Sequence, residues 1–164
     1  MMTTNPFDDD KLHEECAIFG IWGTNDAAAH TALGLHALQH RGQEATGLVC
    51  TDGQDFRVHR ALGHVGDVYG DPRVMERLTG TAAIGHNRYS TTGDPMLRNV
   101  QPIYADFEFG GLALAHNGNL TNALTLREEL VRSGSIFQST TDTEVIIHLL
   151  ATSRGPVTER ELSL

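Results

Sequence analysis

The sequence predicts an α+β layer structure in which helices cover β-sheets. Short apolar runs separated by turn signals dominate the middle of the chain, whereas segments with helical periodicity lie towards both ends of the series. No internal repeat is visible. With 164 residues, 40% of them apolar, the chain is long enough for one compact domain with a sizeable core.

Strands are predicted where apolar runs end at glycine-containing or asparagine-containing turns. These segments are residues 16–22, 45–51, 56–59, 82–89 and 111–116. The second and third form a hairpin across Asp52-Gly53. The fourth leads into a hydroxyl-rich loop at 90–94, and the fifth meets a turn at Asn117-Gly118.

Four helices are predicted, at 27–39, 72–78, 120–133 and from 141 to just before Gly155-Pro156. Asp26 can cap the first helix, and Pro72 suits the first position of the second. The segment TDTE at 141–144 matches the capping-box pattern of the last helix. The third helix is predicted to have Leu120, Leu124, Glu128 and Val131 on one face, and the last helix is predicted to bury Val145, Ile146, Leu149 and Leu150.

The composition excludes several classes of function. The chain has 12 Lys+Arg against 21 Asp+Glu, a formal net charge of −9, so we expect neither a nucleic-acid partner nor adsorption to an anionic membrane. No apolar run approaches the roughly 18 residues of a membrane span. The first 15 residues are polar and carry five acids, unlike a signal or transit peptide. Two cysteines are too few for a disulfide framework, which favours a reducing, cytoplasmic location.

The residues that could carry chemistry each have a plainer interpretation. Cys16 begins an apolar strand, as a nucleophile or as a small buried hydrophobe, and the second interpretation fits Cys50 better still. Arg88 lies where a strand becomes a loop and could grip a carboxylate or face solvent.

Two further positions have the same ambiguity. The Asn117 amide and the Gly118 N–H could stabilise an oxyanion or simply form a turn. Asp142 could receive a substrate ammonium or only favour a helix start. His36 and His40 are four residues apart, but no nearby carboxylate completes a zinc site, so we expect no metal.

Five motifs occur together in an order that one protein family shares. They are ECAIFG at 15–20, LQHRGQEA at 38–45, HNRYST at 86–91, LAHNGNL at 114–120 and TDTE at 141–144. On these motifs, nearly all of residues 14–155 resembles the glutaminase domain of the amidophosphoribosyltransferase family, which are class II glutamine amidotransferases. The LQHRGQ segment distinguishes it from the related glucosamine-phosphate synthases.

The resemblance implies a four-layer αββα sandwich of the N-terminal-nucleophile hydrolase fold. It implies that residues 1–15 are a propeptide, whose removal frees the α-amine of Cys16 to serve as the base for its own thiol. It assigns the following roles: Asn117 and Gly118 to the oxyanion hole, Arg88 and Thr91 to the glutamine α-carboxylate, Asp142 to the α-ammonium, and His86 and Tyr89 to the pocket lining.

The same resemblance implies the wider reaction. Glutamine hydrolysis would supply ammonia to phosphoribosyl pyrophosphate, giving phosphoribosylamine at the first step of purine biosynthesis. Residues 16–164 would form an incomplete glutaminase domain, and the phosphoribosyltransferase domain, with its magnesium and any iron–sulfur cluster, would lie outside this chain. The full-length enzyme is expected to be a homo-oligomer. The alternatives are another class II amidotransferase with a different acceptor, and a non-catalytic glutamine-binding module.

One departure from the family pattern lies beside the nucleophile. Ala17 occupies a position where the family usually has glycine.

Overall fold

The computed structural model describes residues 16–89, 96–108 and 110–153, and the elements below belong to this part of the chain. The strands are β1 (Ala17–Trp22), β2 (Ala45–Thr51), β3 (Phe56–Leu62), β4 (Ala82–Arg88), β5 (Ile103–Phe107) and β6 (Gly110–Leu114). The α-helices are α1 (Ala27–Ala37), α2 (Val65–Tyr69), α3 (Pro72–Met75), α4 (Ala123–Arg132) and α5 (Thr143–Thr152). Two 3₁₀ turns lie at Gln39–Arg41 and Leu97–Asn99.

The first four strands form an antiparallel sheet in the order β1-β4-β2-β3. Because successive side chains of a strand point to opposite faces, one face of β4 turns towards α1. Gly85 lies on this face, where an added Cβ would come within 2.5 Å of Leu35 in α1. Leu35 and Leu48 are both fully buried here, and burial of such a side chain contributes about 1.5–3 kcal/mol.

The opposite face of this sheet packs against a second, two-stranded sheet formed by β5 and β6. Phe56 of β3 stacks on Tyr104 of β5 with ring centroids 5.1 Å apart. An added Cβ on Gly47 of β2 would meet the carbonyl oxygen of Gln101, which directly precedes the second sheet. Helix α5 packs against β5 of the second sheet and buries Val145, and α4 packs against α5. The order of layers is therefore helix, sheet, sheet, helices.

The α+β class and the predicted hairpin across Asp52-Gly53 are confirmed, whereas α2 and β5 were not predicted. The first helix ends two residues earlier than predicted and continues as the 3₁₀ turn. Asp26 stands at its N-cap position without a side-chain capping bond, so the capping prediction is wrong. Pro72 does occupy the first turn of α3, where Asp71 caps the helix by accepting the N–H of Arg73.

The capping box predicted for the last helix is not formed. The helix starts at Thr143, so Asp142 rather than Thr141 takes the N-cap position. The Glu144 carboxylate instead accepts the backbone N–H groups of Gln138 at 2.8 Å and Ser139 at 2.7 Å. This buried acid therefore fixes the loop that leads into α5.

The face of α4 that contains Leu124 and Val131 is exposed at the surface. Leu124 is 80% exposed and Val131 52% exposed, whereas Leu130 is buried. Its first turn also begins at Ala123, three residues later than predicted. None of the helices in the described ranges has the length and apolar character of a membrane span.

Candidate active site

Cys16 lies immediately before β1, where two side chains from distant segments hold its carbonyl oxygen. Arg41, from the 3₁₀ turn after α1, donates its Nε–H at 3.1 Å. Asn117, from the loop after β6, donates a side-chain N–H at the same distance. The thiol itself is half-buried, and its Sγ lies 3.7 Å from the carbonyl oxygen of Tyr89. The main chain at Cys16 is thus fixed while the sulfur remains accessible.

A cavity of about 280 Å³ lies at this cysteine, and Arg41, Asn117, Ala17, Ile18 and Leu38 line it together with Cys16. The predicted nucleophile and one predicted oxyanion donor therefore face the same space. Gly118 is exposed at the adjacent bend.

A larger cavity of about 490 Å³ is lined in part by Asn119 and Leu120, from the loop that follows β6. Arg88 and Asp142 both line it, together with Thr141. A guanidinium and a carboxylate in one cavity match the opposite charges of an α-amino acid, since each can hold one of its ionic groups.

The Asp142 carboxylate also contacts two residues of the loop region that follows β6. Its Oδ2 accepts the backbone N–H of Leu120 at 2.9 Å, and its Oδ1 lies 3.7 Å from Nδ1 of His116. Although Asp142 is the N-cap residue of α5, its side chain makes no capping bond. The plainer interpretation, an acid that only favours a helix start, therefore does not describe how this carboxylate is used.

The loop at residues 117–120 contributes to both cavities. Asn117 lines the cavity at Cys16, whereas Asn119 and Leu120 line the cavity of Arg88 and Asp142. Four of the predicted site residues thus line a cavity, Cys16 and Asn117 the first and Arg88 and Asp142 the second.

His86 is placed differently from the other candidates. It is 1% exposed, and neither ring nitrogen has a hydrogen-bond partner among the described residues. Burial, with smaller contributions from Arg88 and His116, lowers its pKa to about 4, so the ring is neutral near pH 7. His86 is not among the residues that line either cavity, and its predicted pocket-lining role stays a prediction.

The remaining predicted residues contribute less to the geometry. Tyr89 is 45% exposed and provides its carbonyl oxygen to the Cys16 thiol. Thr91 and the predicted propeptide lie outside the described residues. Within the described ranges there is no cluster of three or more side chains suited to hold a metal ion, and Cys50 is a buried thiol whose pKa burial raises to about 11.

Sequence reasoning missed two amide side chains beside the larger cavity. Asn99 and Gln101 both line it, and both are buried. The only signal in the sequence was a pair of amides two residues apart before a proline, in a stretch that was not assigned to any element.

The chain is similar to several known proteins. The family described as a glutamine amidotransferase domain matches residues 86–162. An amidophosphoribosyltransferase of Lacticaseibacillus casei is 49% identical over 150 residues, which cover 92% of this chain and 77% of that protein. The chain belongs to the amidophosphoribosyltransferase family. A second member, from Rhizobium etli, is 60% identical over 152 residues, covering 93% of this chain and 31% of its own length.

Two solved structures resemble the fold closely. The glutamine phosphoribosylpyrophosphate amidotransferase from B. subtilis, complexed with ADP and GMP, has a TM-score of 0.79 at 43% identity and is covered over 31% of its chain. A structure described as the allosteric regulatory enzyme of purine biosynthesis has a TM-score of 0.82 at 44% identity, with the same coverage. Each covers 87% of the present chain. The predicted N-terminal-nucleophile hydrolase fold is thereby confirmed, and the present chain spans about a third of the length of each of these two solved chains.

Proposed function

We propose that this chain hydrolyses glutamine to glutamate and ammonia with Cys16 as the nucleophile. The observation that carries the proposal is that Cys16 and Asn117 line one cavity, Arg88 and Asp142 line a second, and the loop following β6 contributes residues to both. Arg88, with Thr91, holds the glutamine α-carboxylate, and Asp142 holds the α-ammonium. The carboxamide then extends past the loop towards the sulfur.

Activation of the thiol requires a base, which we assign to the α-amine of Cys16 itself. A free α-amine has a reference pKa of about 7.7–8.0, so it can accept and return a proton near neutrality. As long as residue 15 is attached, this nitrogen is an amide and cannot do so. The proposal therefore includes removal of residues 1–15 as a propeptide.

The reaction then proceeds in two balanced steps. The thiolate attacks the carboxamide carbon, and the ammonium of Cys16 returns the proton to the leaving nitrogen, so that ammonia departs and a glutamyl thioester remains. Water then attacks the thioester, giving glutamate and restoring the thiol. Asn117 and Gly118 donate hydrogen bonds to the oxyanion of each tetrahedral intermediate, which is worth about 3–4 kcal/mol per donor in comparable sites.

We further propose that the ammonia is used to convert phosphoribosyl pyrophosphate to phosphoribosylamine. The relatives named amidophosphoribosyltransferase, and the solved structure of an enzyme of purine biosynthesis, support this acceptor. The acceptor reaction, its magnesium and any iron–sulfur cluster are assigned to a part of the enzyme beyond this chain. A cytoplasmic homo-oligomer belongs to the same proposal.

Replacement of the nucleophile tests the glutaminase reaction. Cys16→Ala should abolish glutamate release and leave glutamine binding, measured by calorimetry, within about threefold, because the removed sulfur makes no ground-state contact that binding needs. Cys50→Ala is the matched control and should retain turnover, since that thiol is buried away from both cavities in the α1-facing core.

Intact-mass measurement of the purified protein tests the maturation step. An active chain that begins at Cys16 supports the proposal. An active chain that retains Met1 contradicts it, and an inactive chain that retains Met1 but binds glutamine favours a non-catalytic binding module.

A further inference from the structure

The segment at residues 99–101 joins the second 3₁₀ turn to β5 and is buried throughout. Asn99 is 6% exposed, Val100 is fully buried and Gln101 is 7% exposed. Polar side chains are buried at a cost unless their hydrogen bonds are satisfied, so the partners of the two amides identify what the segment is for.

The Gln101 side chain forms hydrogen bonds with both the backbone N–H and the carbonyl oxygen of His116. Its Oε1 accepts the His116 N–H at 2.7 Å, and its Nε2 donates to the His116 carbonyl oxygen at 3.2 Å. This side chain thus imitates a strand partner for a residue just beyond the end of β6. The next residue is Asn117, so the bidentate contact fixes the base of the loop that bears the proposed oxyanion donors.

Asn99 makes the equivalent contact to the other wall of the larger cavity. Its Oδ1 accepts the Thr140 N–H at 3.0 Å, and its Nδ2 donates to the Thr140 hydroxyl oxygen at 2.8 Å. Thr140 lies two residues before Asp142. The second amide therefore fixes the loop that presents the proposed ammonium-binding carboxylate.

The segment itself is anchored to the four-stranded sheet. Arg60 of β3 donates to the Val100 carbonyl oxygen at 3.2 Å. A Cβ on Gly47 of β2 would lie only 2.1 Å from the carbonyl oxygen of Gln101, so this approach is possible only because residue 47 is glycine. Two loops far apart in sequence are thus bonded to one buried segment, residues 99–101, which is itself anchored to the four-stranded sheet.

We propose that Asn99 and Gln101 are positioning residues, Gln101 acting mainly through Asn117 and Asn99 mainly through Asp142. The proposal rests on the proposed glutaminase function. The two loops also meet where Asp142 accepts the Leu120 N–H, so the division of roles is one of degree. Gln101 chiefly governs a group needed in the transition state, whereas Asn99 chiefly governs a group already used when substrate binds. The two should therefore affect different kinetic parameters.

Steady-state glutamate release in variants of the intact chain tests this division. Gln101→Met keeps the length and loses the amide, and it should lower kcat roughly 10- to 100-fold with KM changed less than about threefold, as for a misplaced transition-state group. Asn99→Leu should raise KM about 10-fold with kcat changed less than about threefold. The exposed residues Gln54 and Asn25 provide matched controls, Gln54→Met and Asn25→Leu, which should leave both parameters unchanged.

Amide hydrogen exchange measures the hydrogen bonds made by Asn99 and Gln101 independently of catalysis. Gln101→Met should accelerate exchange at the His116 N–H, and Asn99→Leu at the Thr140 N–H, whether or not glutamine is turned over. A wild-type chain that releases no glutamate contradicts the proposed function but leaves this readout intact. Unchanged exchange at both positions would refute the claim that the two amides hold the backbone of His116 and Thr140. Equal effects of both variants on the same kinetic parameter would refute the division of roles between them.

A second substitution keeps the proposal falsifiable if Gln101→Met fails to fold. Gln101→Glu retains an acceptor for the His116 N–H, but it loses the donor to the His116 carbonyl oxygen and sets a carboxylate oxygen against that carbonyl. We expect it to lower kcat with KM again nearly unchanged. A fully active Gln101→Glu variant, with exchange at His116 like that of the wild type, would show that the donated bond positions nothing.

Discussion

Replacement of Asp142 by asparagine isolates the charge that the proposed mechanism assigns to substrate binding. In the structure this carboxylate also accepts the Leu120 N–H at 2.9 Å. Asparagine retains an oxygen for that bond and has nearly the same volume, so the loop at Leu120 stays in place. What the variant removes is the negative charge that faces the larger cavity.

The magnitude follows from burial and charge. A hydrogen bond to a charged group contributes about 1.5–3 kcal/mol, which corresponds to about a 10- to 150-fold change in affinity. The Asp142 side chain is 19% exposed, so water screens part of this interaction, and we take the lower half of the range. We therefore expect Asp142→Asn to raise the glutamine KM about 10- to 30-fold with kcat changed less than about threefold.

The assay is glutamate release measured over a wide range of glutamine concentration. Asp106→Asn, on an exposed position of β5, controls for loss of one negative charge at a distance from both cavities. Asp142→Ala should have a larger effect than Asp142→Asn, because the Leu120 N–H then also loses its partner. An unchanged KM in Asp142→Asn would refute the assignment of the ammonium to this carboxylate.

Two further predictions use Cys50 and His86, the side chains whose pKa values burial shifts. In the native protein, iodoacetamide should alkylate Cys16 and spare Cys50, because Cys50 is 1% exposed and its pKa is raised to about 11; peptide mapping that finds Cys50 modified without unfolding would contradict this. Burial lowers the pKa of His86 from 6.5 to about 4. Between these two pH values the unfolded chain therefore binds more protons than the folded chain. The stability that goes with the neutral buried ring is present above pH 6.5 and is lost as pH falls towards 4. The loss should amount to roughly 3 kcal/mol over that interval and should be smaller in His86→Phe, and equal pH dependence of the denaturant midpoint in the two proteins would exclude His86 as its source.

The sequence was most informative where local pattern and packing agree. The strand from residue 45 to 51 was predicted with its observed bounds, because its run is buried on both faces of the four-stranded sheet and the adjacent Asp52-Gly53 turn is a strong local signal. The strand predicted at 16–22 is observed at Ala17–Trp22. The family motifs were needed to associate Cys16 with Asn117, since contact between residues 101 positions apart leaves no trace in periodicity.

What could not be predicted depends on tertiary context. Strand β5 pairs only with β6 among the described strands, and its sequence IYADF is too short and mixed to distinguish it from a loop. The segment TDTE satisfies the local pattern of a capping box, yet Glu144 finds better partners in the backbone of residues 138 and 139. A local rule failed here because a neighbouring loop offered its N–H groups to the same carboxylate.

The site separates the groups that react from the groups that hold them. Asn117 and Gly118 are exposed on a loop, where substitution removes little packing, whereas Asn99 and Gln101 are buried and each satisfies two polar atoms of a neighbouring loop. Loss of Asn117 should therefore reduce activity with only a small loss of stability, because water can replace its exposed amide and Arg41 still donates to the Cys16 carbonyl oxygen. Loss of a holding group should reduce both, because its partners remain buried without hydrogen bonds. This division follows from where the chemistry must occur: substrate has to reach the loops, whereas buried side chains that bond to the loops keep them in one arrangement.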